Sequence, residues 1–100
     1  MRLIAASNLI AFVDTNPVSA AAIDNFRQMV KAADWKSMAD VQAAASTVKI
    51  LNGERARFEI AGGAFRLIVA INFTVGIVFV KFIGTHAQYD RVDALTVSQF

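Results

Sequence analysis

One hundred residues suffice for one hydrophobic core and leave nothing for a second, so the chain reads as a single domain over residues 1–100. Cysteine is absent, which excludes a disulfide framework and a Cys-based zinc site, and the net charge of +2 permits a polyanionic partner without demanding one. A hydrophobic fraction of 56% calls for a membrane test, and the longest uncharged stretch, Leu67–Val80, falls well short of the ~20 apolar residues of a spanning helix.

The N-terminus carries Arg2 and a short mixed segment with Asn8 in its middle, without an apolar signal core. The expectation is a cytoplasmic protein. Leu3 and Ile4 suggest a short strand, and Leu9, Ile10, Phe12 and Val13 a first short helix. Asn16-Pro17 reads as an N-cap followed by proline at the first helical position. From there Val18, Ala21, Ala22, Phe26, Met29, Val30 and Ala33 recur at helical spacing, predicting an amphipathic helix of roughly 17 residues. Ser37-Met38-Ala39-Asp40 has capping-box character and starts another short helix through about Ala45.

From Thr47 onward the period changes to two. Val48, Ile50 and the Asn52-Gly53 turn signal predict a strand leading into a hairpin. Arg55–Ile60 alternates polar with apolar, Gly62-Gly63 is a two-residue turn, and Phe65–Ile71 is the return strand. A turn near Asn72–Gly76 leads to Ile77–Ile83. The fold class is therefore α+β, with N-terminal helices packed on one face of a small antiparallel β-sheet. The tail from Val92 to Phe100 reads as a last helical turn or an extended arm.

The register carries chemical information. With Gly62-Gly63 as the turn, Ile60 pairs with Phe65 and Glu59 with Arg66. One face then bears Arg55, Arg57, Glu59, Arg66 and Ile68; the other bears Ala56, Phe58, Ile60, Phe65, Leu67 and Val69 and packs on the helices. Alternation along the last strand sets Lys81 with Ile77 and Phe79, opposite Val80 and Phe82. A face with several cations is either a solvated surface with an ordinary Glu59–Arg66 pair or a grip for phosphates.

Directly after the last strand comes Gly84-Thr85-His86-Ala87-Gln88-Tyr89-Asp90, which holds the only histidine and the only tyrosine. Histidine is the side chain that ordinarily titrates near neutral pH. Tyr89 can donate a proton or hydrogen bond to an oxyanion, and Arg57, Arg66 and Lys81 can neutralise charge on a phosphoryl group. These are the parts needed for RNA cleavage by the neighbouring 2′-hydroxyl. A lone histidine in a loop is equally an ordinary turn residue. Trp35, between Asp34 and Lys36, is either a half-buried anchor at a corner or a surface for stacking bases. No metal-ligand spacing, P-loop or GxGxxG occurs, so no metal and no cofactor is expected.

Taken in order, Lys31-Ala32-Ala33-Asp34-Trp35-Lys36, Arg57-Phe58-Glu59-Ile60, Phe65-Arg66-Leu67-Ile68-Val69 and Phe79–Asp90 resemble the HigB-type toxins of the RelE/ParE superfamily. His86 and Tyr89 match the family's GTHAxYD segment, Arg66 its (Y/F)RL segment and Lys81 the basic position before FxGTH; Arg57 lies in its RxxFxI strand. The resemblance implies a RelE-like fold and a ribosome-dependent mRNA endoribonuclease that inhibits translation. It also implies a HigA-type helix-turn-helix antitoxin, with operator DNA reached only through the antitoxin complex and no membrane partner. His86, Tyr89, Arg66 and Lys81 are the catalytic candidates it points to, with Arg57, Arg55, Lys36 and Trp35 as candidate RNA-binding residues. Glu59 and Ala70 depart from the family pattern, where Asn and often a basic residue stand. With the apolar excess they motivate a second reading, a degenerate toxin that serves as an interaction module for its antitoxin. A gyrase inhibitor of the ParE kind would share the fold, and the His86–Tyr89 pair argues against it.

Overall fold

In the computed structural model, which describes residues 1–100, the change of period near Thr47 divides helices from sheet. The order is β1 (Arg2–Ile4), α1 (Ala6–Thr15), a 3₁₀ turn (Pro17–Ser19), α2 (Ala20–Ala32), α3 (Met38–Ala44), β2 (Lys49–Ile50), β3 (Arg55–Ile60), β4 (Phe65–Asn72), β5 (Ile77–Thr85) and α4 (His86–Tyr89). The five strands form one sheet in the order β1-β5-β4-β3-β2. It is α+β, and it is mixed rather than wholly antiparallel, because β1 runs parallel to β5. Three helices separate β1 from the rest of the sheet, long enough a crossover for parallel pairing. No helix is long and apolar enough to cross a membrane.

Two local expectations change. Asn16 stands at the N-cap with Pro17 at the first helical position, as expected, but its side chain makes no cap bond there; its backbone N–H (2.9 Å) and side-chain amide (3.2 Å) both donate to the Phe12 carbonyl and close α1. The expected long helix thus becomes a 3₁₀ turn and then the 13-residue α2. At α3, Ser37 makes no side-chain cap bond, and the Asp40 carboxylate instead accepts from the Lys36 backbone N–H at 2.8 Å.

The β3–β4 register is the predicted one, with Glu59 opposite Arg66 and Ile60 opposite Phe65. The connection uses four residues rather than two: Ala61, Gly62 and Gly63 all take positive φ (54°, 68° and 92°) before Ala64. Two asparagines close the other hairpin turns, the Asn52 side chain accepting from Glu54 and Arg55 N–H and the Asn72 side chain from Thr74 and Val75 N–H. On the dry face Phe58, Leu67, Val69, Val78, Val80 and Ile83 pack with Leu9, Phe26, Val30 and Trp35 from the helical half. Phe26 meets Phe58 edge-on at 5.0 Å, and Trp35 stacks on Phe58 at 6.4 Å. Burying each such side chain stabilises the fold by about 1.5–3 kcal/mol.

On β5 the strict alternation breaks. Ile68 pairs with Phe82 but Val69 pairs with Val80, so Lys81 is an extra residue at a β-bulge. One inserted residue turns every later side chain to the opposite face. Phe82 therefore lies on the cation-bearing face beside Ile68, not on the dry face with Val80.

After α4 the chain folds back over that cation-bearing face. Arg55 Nη1, on β3, donates to the carbonyls of Ala94 (3.1 Å) and Val97 (2.8 Å). Gln99 then docks on β5, its N–H donating to the Lys81 carbonyl at 2.9 Å and its side-chain oxygen accepting from the Ile83 N–H at 2.9 Å. Residues 94–99 thus form a strap from β3 to β5, passing over β4.

Candidate functional site

The bulged end of β5 leads into α4 through Gly84 and Thr85. Thr85 Oγ1 accepts from the Gln88 N–H (3.1 Å), and Gln88 Oε1 accepts from the Thr85 N–H (2.9 Å). This reciprocal capping box starts a helix of only four residues. A side chain at Gly84 has no room, since a Cβ there would lie 2.7 Å from both Phe82 Cζ and Gln88 Oε1. The box fixes His86 at the first and Tyr89 at the last helical position.

His86 is largely exposed, with Nδ1 3.1 Å from Asp90 Oδ2. That contact orients the ring and leaves Nε2 available to a substrate. Tyr89 points to the sheet. Its ring centroid lies 5.8 Å from Arg57 Cζ, 6.0 Å from Arg66 Cζ and 6.4 Å from the Phe82 ring. Behind the two guanidiniums sits Glu59, whose Oε1 is 2.8 Å from Arg66 Nη1 and 3.7 Å from Arg57 Nη2. Two cations share one carboxylate, so the cluster keeps one net positive charge.

The arginine side chains are only 16% (Arg57) and 11% (Arg66) exposed, and each has a buried Nε without a hydrogen-bond acceptor. A buried donor left unpaired costs about 1–3 kcal/mol. An anionic oxygen brought to these groups would relieve that cost, with the charge assistance that suits a phosphoryl group.

The other candidates stand further off. Lys81 places its Nζ 5.6 Å from the Phe79 ring centroid, and Arg55 is engaged by the strap. Trp35 and Lys36 do not join the group. The indole is in the core, stacked on Phe58 on the opposite side of the sheet, and Lys36 is exposed beside it, 3.0 Å from Asp34. No three His, Asp or Glu side chains come together in a way that could hold a metal ion. The largest cleft, about 400 Å³, lies by Glu54, Asn72 and Phe79, and none of the three clefts is lined by His86, Tyr89, Arg57 or Arg66. The cluster is a covered surface rather than a cavity.

Sequence reasoning missed three participants. Glu59 was legible as a cross-strand partner of Arg66, but not as the link to Arg57 two residues earlier on the same face. Phe82 was hidden by the bulge. Gln88 had a signal, the Thr85-x-x-Gln88 spacing of a capping box.

A family model for HigB, described as the RelE-like toxic component of a toxin–antitoxin system, matches residues 19–92. That span runs from the start of α2 through α4 and holds the whole arginine–tyrosine–histidine group. No curated protein matches the chain. The chain belongs to the HigB family of RelE-like toxins, and such a toxin has an antitoxin as its partner.

Proposed function

We propose that this toxin is a ribosome-dependent mRNA endoribonuclease that inhibits translation in the cytoplasm. The observation that carries the reading is the convergence of Arg57 and Arg66 on Tyr89, one helical turn from the exposed His86. Arg57, Arg66 and Lys81 hold the scissile phosphate and neutralise charge as the pentacoordinate phosphorus forms. The ribose 2′-oxygen attacks phosphorus while its proton passes to one member of the His86–Tyr89 pair. The P–O5′ bond breaks, and the 5′-oxygen takes a proton from the other member. The products are a 2′,3′-cyclic phosphate and a 5′-hydroxyl, with no water consumed. Positioned acid–base groups of this kind contribute about 10²–10⁴-fold each. The antitoxin in this reading is of the HigA helix-turn-helix type, and operator DNA is bound through the toxin–antitoxin complex.

The test adds purified protein to a reconstituted translation reaction and maps new mRNA 5′ ends by primer extension, with and without ribosomes. New ends are expected only with ribosomes. His86→Ala and Tyr89→Phe should abolish them and abolish growth arrest, while antitoxin binding stays intact. Full toxicity of both variants would sink the assignment.

A second reading is favoured by Glu59, which occupies Arg66 at 2.8 Å and lowers the charge offered to RNA. In it the chain binds its antitoxin without chemistry, and expression without the antitoxin is harmless.

A further inference from the structure

Beyond α4, residues 94–99 lie outside the family-matched span, yet they cross the face that the proposed reaction needs. Ile68 is 0% and Phe82 5% exposed, although both sit on that face and neither belongs to the main core. The strap is anchored at two points. At β3 the Arg55 guanidinium holds two strap carbonyls, and at β5 Gln99 holds one N–H and one carbonyl. Its large apolar side chains do little to pin it, since Leu95 and Phe100 are each 50% exposed. No side chain of residues 94–100 is charged.

We propose that this strap is an intramolecular competitor of single-stranded RNA, so that the resting protein is autoinhibited and RNA enters the site as the strap leaves. The inference rests on the endoribonuclease reading and adds a mode of regulation to it. The competition is for the same donors. The carbonyl oxygens of Ala94 and Val97 occupy Arg55 as neutral stand-ins for phosphate oxygens. A phosphate makes the stronger, charge-assisted bond to the same guanidinium, so a polyanion is able to displace them. Strap release also uncovers Phe82 beside Tyr89, giving two aromatic rings flanked by cations, the arrangement that single strands use for base stacking. Because affinity scales with the fraction of molecules already open, weakening the strap tightens RNA binding without adding a contact.

Gln99→Pro tests this in the full chain. Proline lacks both the N–H that reaches Lys81 and the side-chain oxygen that receives Ile83, and position 99 is exposed, so folding is spared. The probe is a 2′-O-methyl oligoribonucleotide of mixed sequence, which cannot be cleaved, read by fluorescence anisotropy at low salt. Amide exchange at Ile83 reports the strap directly. Gln99→Pro is expected to bind on the order of tenfold tighter, the worth of one or two net hydrogen bonds. Adding the oligonucleotide to the unaltered protein should speed exchange at Ile83. Equal or weaker binding by Gln99→Pro, or slower exchange at Ile83 with RNA, overturns the strap proposal and leaves the endoribonuclease reading standing. Failure of both proteins to bind the oligonucleotide overturns the strap proposal alone, because the endoribonuclease reading has its RNA presented by the ribosome.

Discussion

Glu59 couples the charge of the site to its rigidity. Its carboxylate bridges two guanidiniums that are otherwise mostly buried, so removing it leaves two neighbouring cations without their shared counter-charge. Glu59→Gln should cost at least about 1 kcal/mol of stability in urea unfolding, because a buried charge loses its partner. The same change adds a net positive charge where the proposed reaction places the phosphate. RNA affinity should therefore rise a few-fold in an anisotropy titration even as stability falls, and an unchanged affinity would show that Arg66 is not an RNA contact. Gly84 makes the complementary case. Gly84→Ala pushes a methyl group against the Phe82 ring and against the Gln88 oxygen that closes the capping box. Overpacking of this kind costs about 1–3 kcal/mol. Cleavage rate should drop by more than the folded fraction does, since His86 and Tyr89 lose their common frame. In the sequence this segment reads as a candidate acid–base group, and the structure sets His86 and Tyr89 at the two ends of one short helix. Their frame was missed although Thr85-x-x-Gln88 carries its signal, whereas the Glu59–Arg57 link depends on side-chain reach and left no pattern.

At the scale of elements, β3 and β4 were legible because each side chain on them has one dry neighbour or one wet one, and a slipped register would bury Arg55, Arg57 and Arg66. The bulge at Lys81 was not, because neither glycine nor proline marks it. Asn16-Pro17 marked the helix start correctly, but not the partner of the Asn16 side chain, because asparagine can close one helix while it opens the next. Trp35 shows what packing decides. Since its ring is buried against Phe58, Trp35→Ala should cost about 3–5 kcal/mol by chemical denaturation and leave the RNA affinity of the folded protein unchanged. A selective loss of RNA binding with stability intact would return the indole to the RNA face. Leu67, fully buried at the centre of β4, should cost about 2–5 kcal/mol as Leu67→Ala with the same indifference to RNA.

The molecule as a whole divides its labour between the two faces of one sheet. Helices cover one face and supply stability; the strap covers the other, where the cations lie. The strap had no readable period because its position is set by distant partners, Arg55 on β3 and the backbone of β5, rather than by its own residues. If Arg55, Arg57, Arg66 and Lys81 each meet a phosphate once the strap is open, counterion release sets the salt dependence. For single strands the slope of log affinity against log salt should then be about −3. Titration at several salt concentrations measures it, and a slope near zero would remove RNA from the account.

The outer strands are very short, β2 having two residues and β1 three, so β3 beyond the end of β2 and β5 beyond the end of β1 have no neighbouring strand. On β5, Gln99 takes up the Lys81 carbonyl and the Ile83 N–H in that stretch. An open margin of that kind is a template for pairing with another molecule. The residue that holds the strap down therefore also keeps the toxin from adding strands to itself. Any form of the protein with its strap permanently released would lose solubility at high concentration.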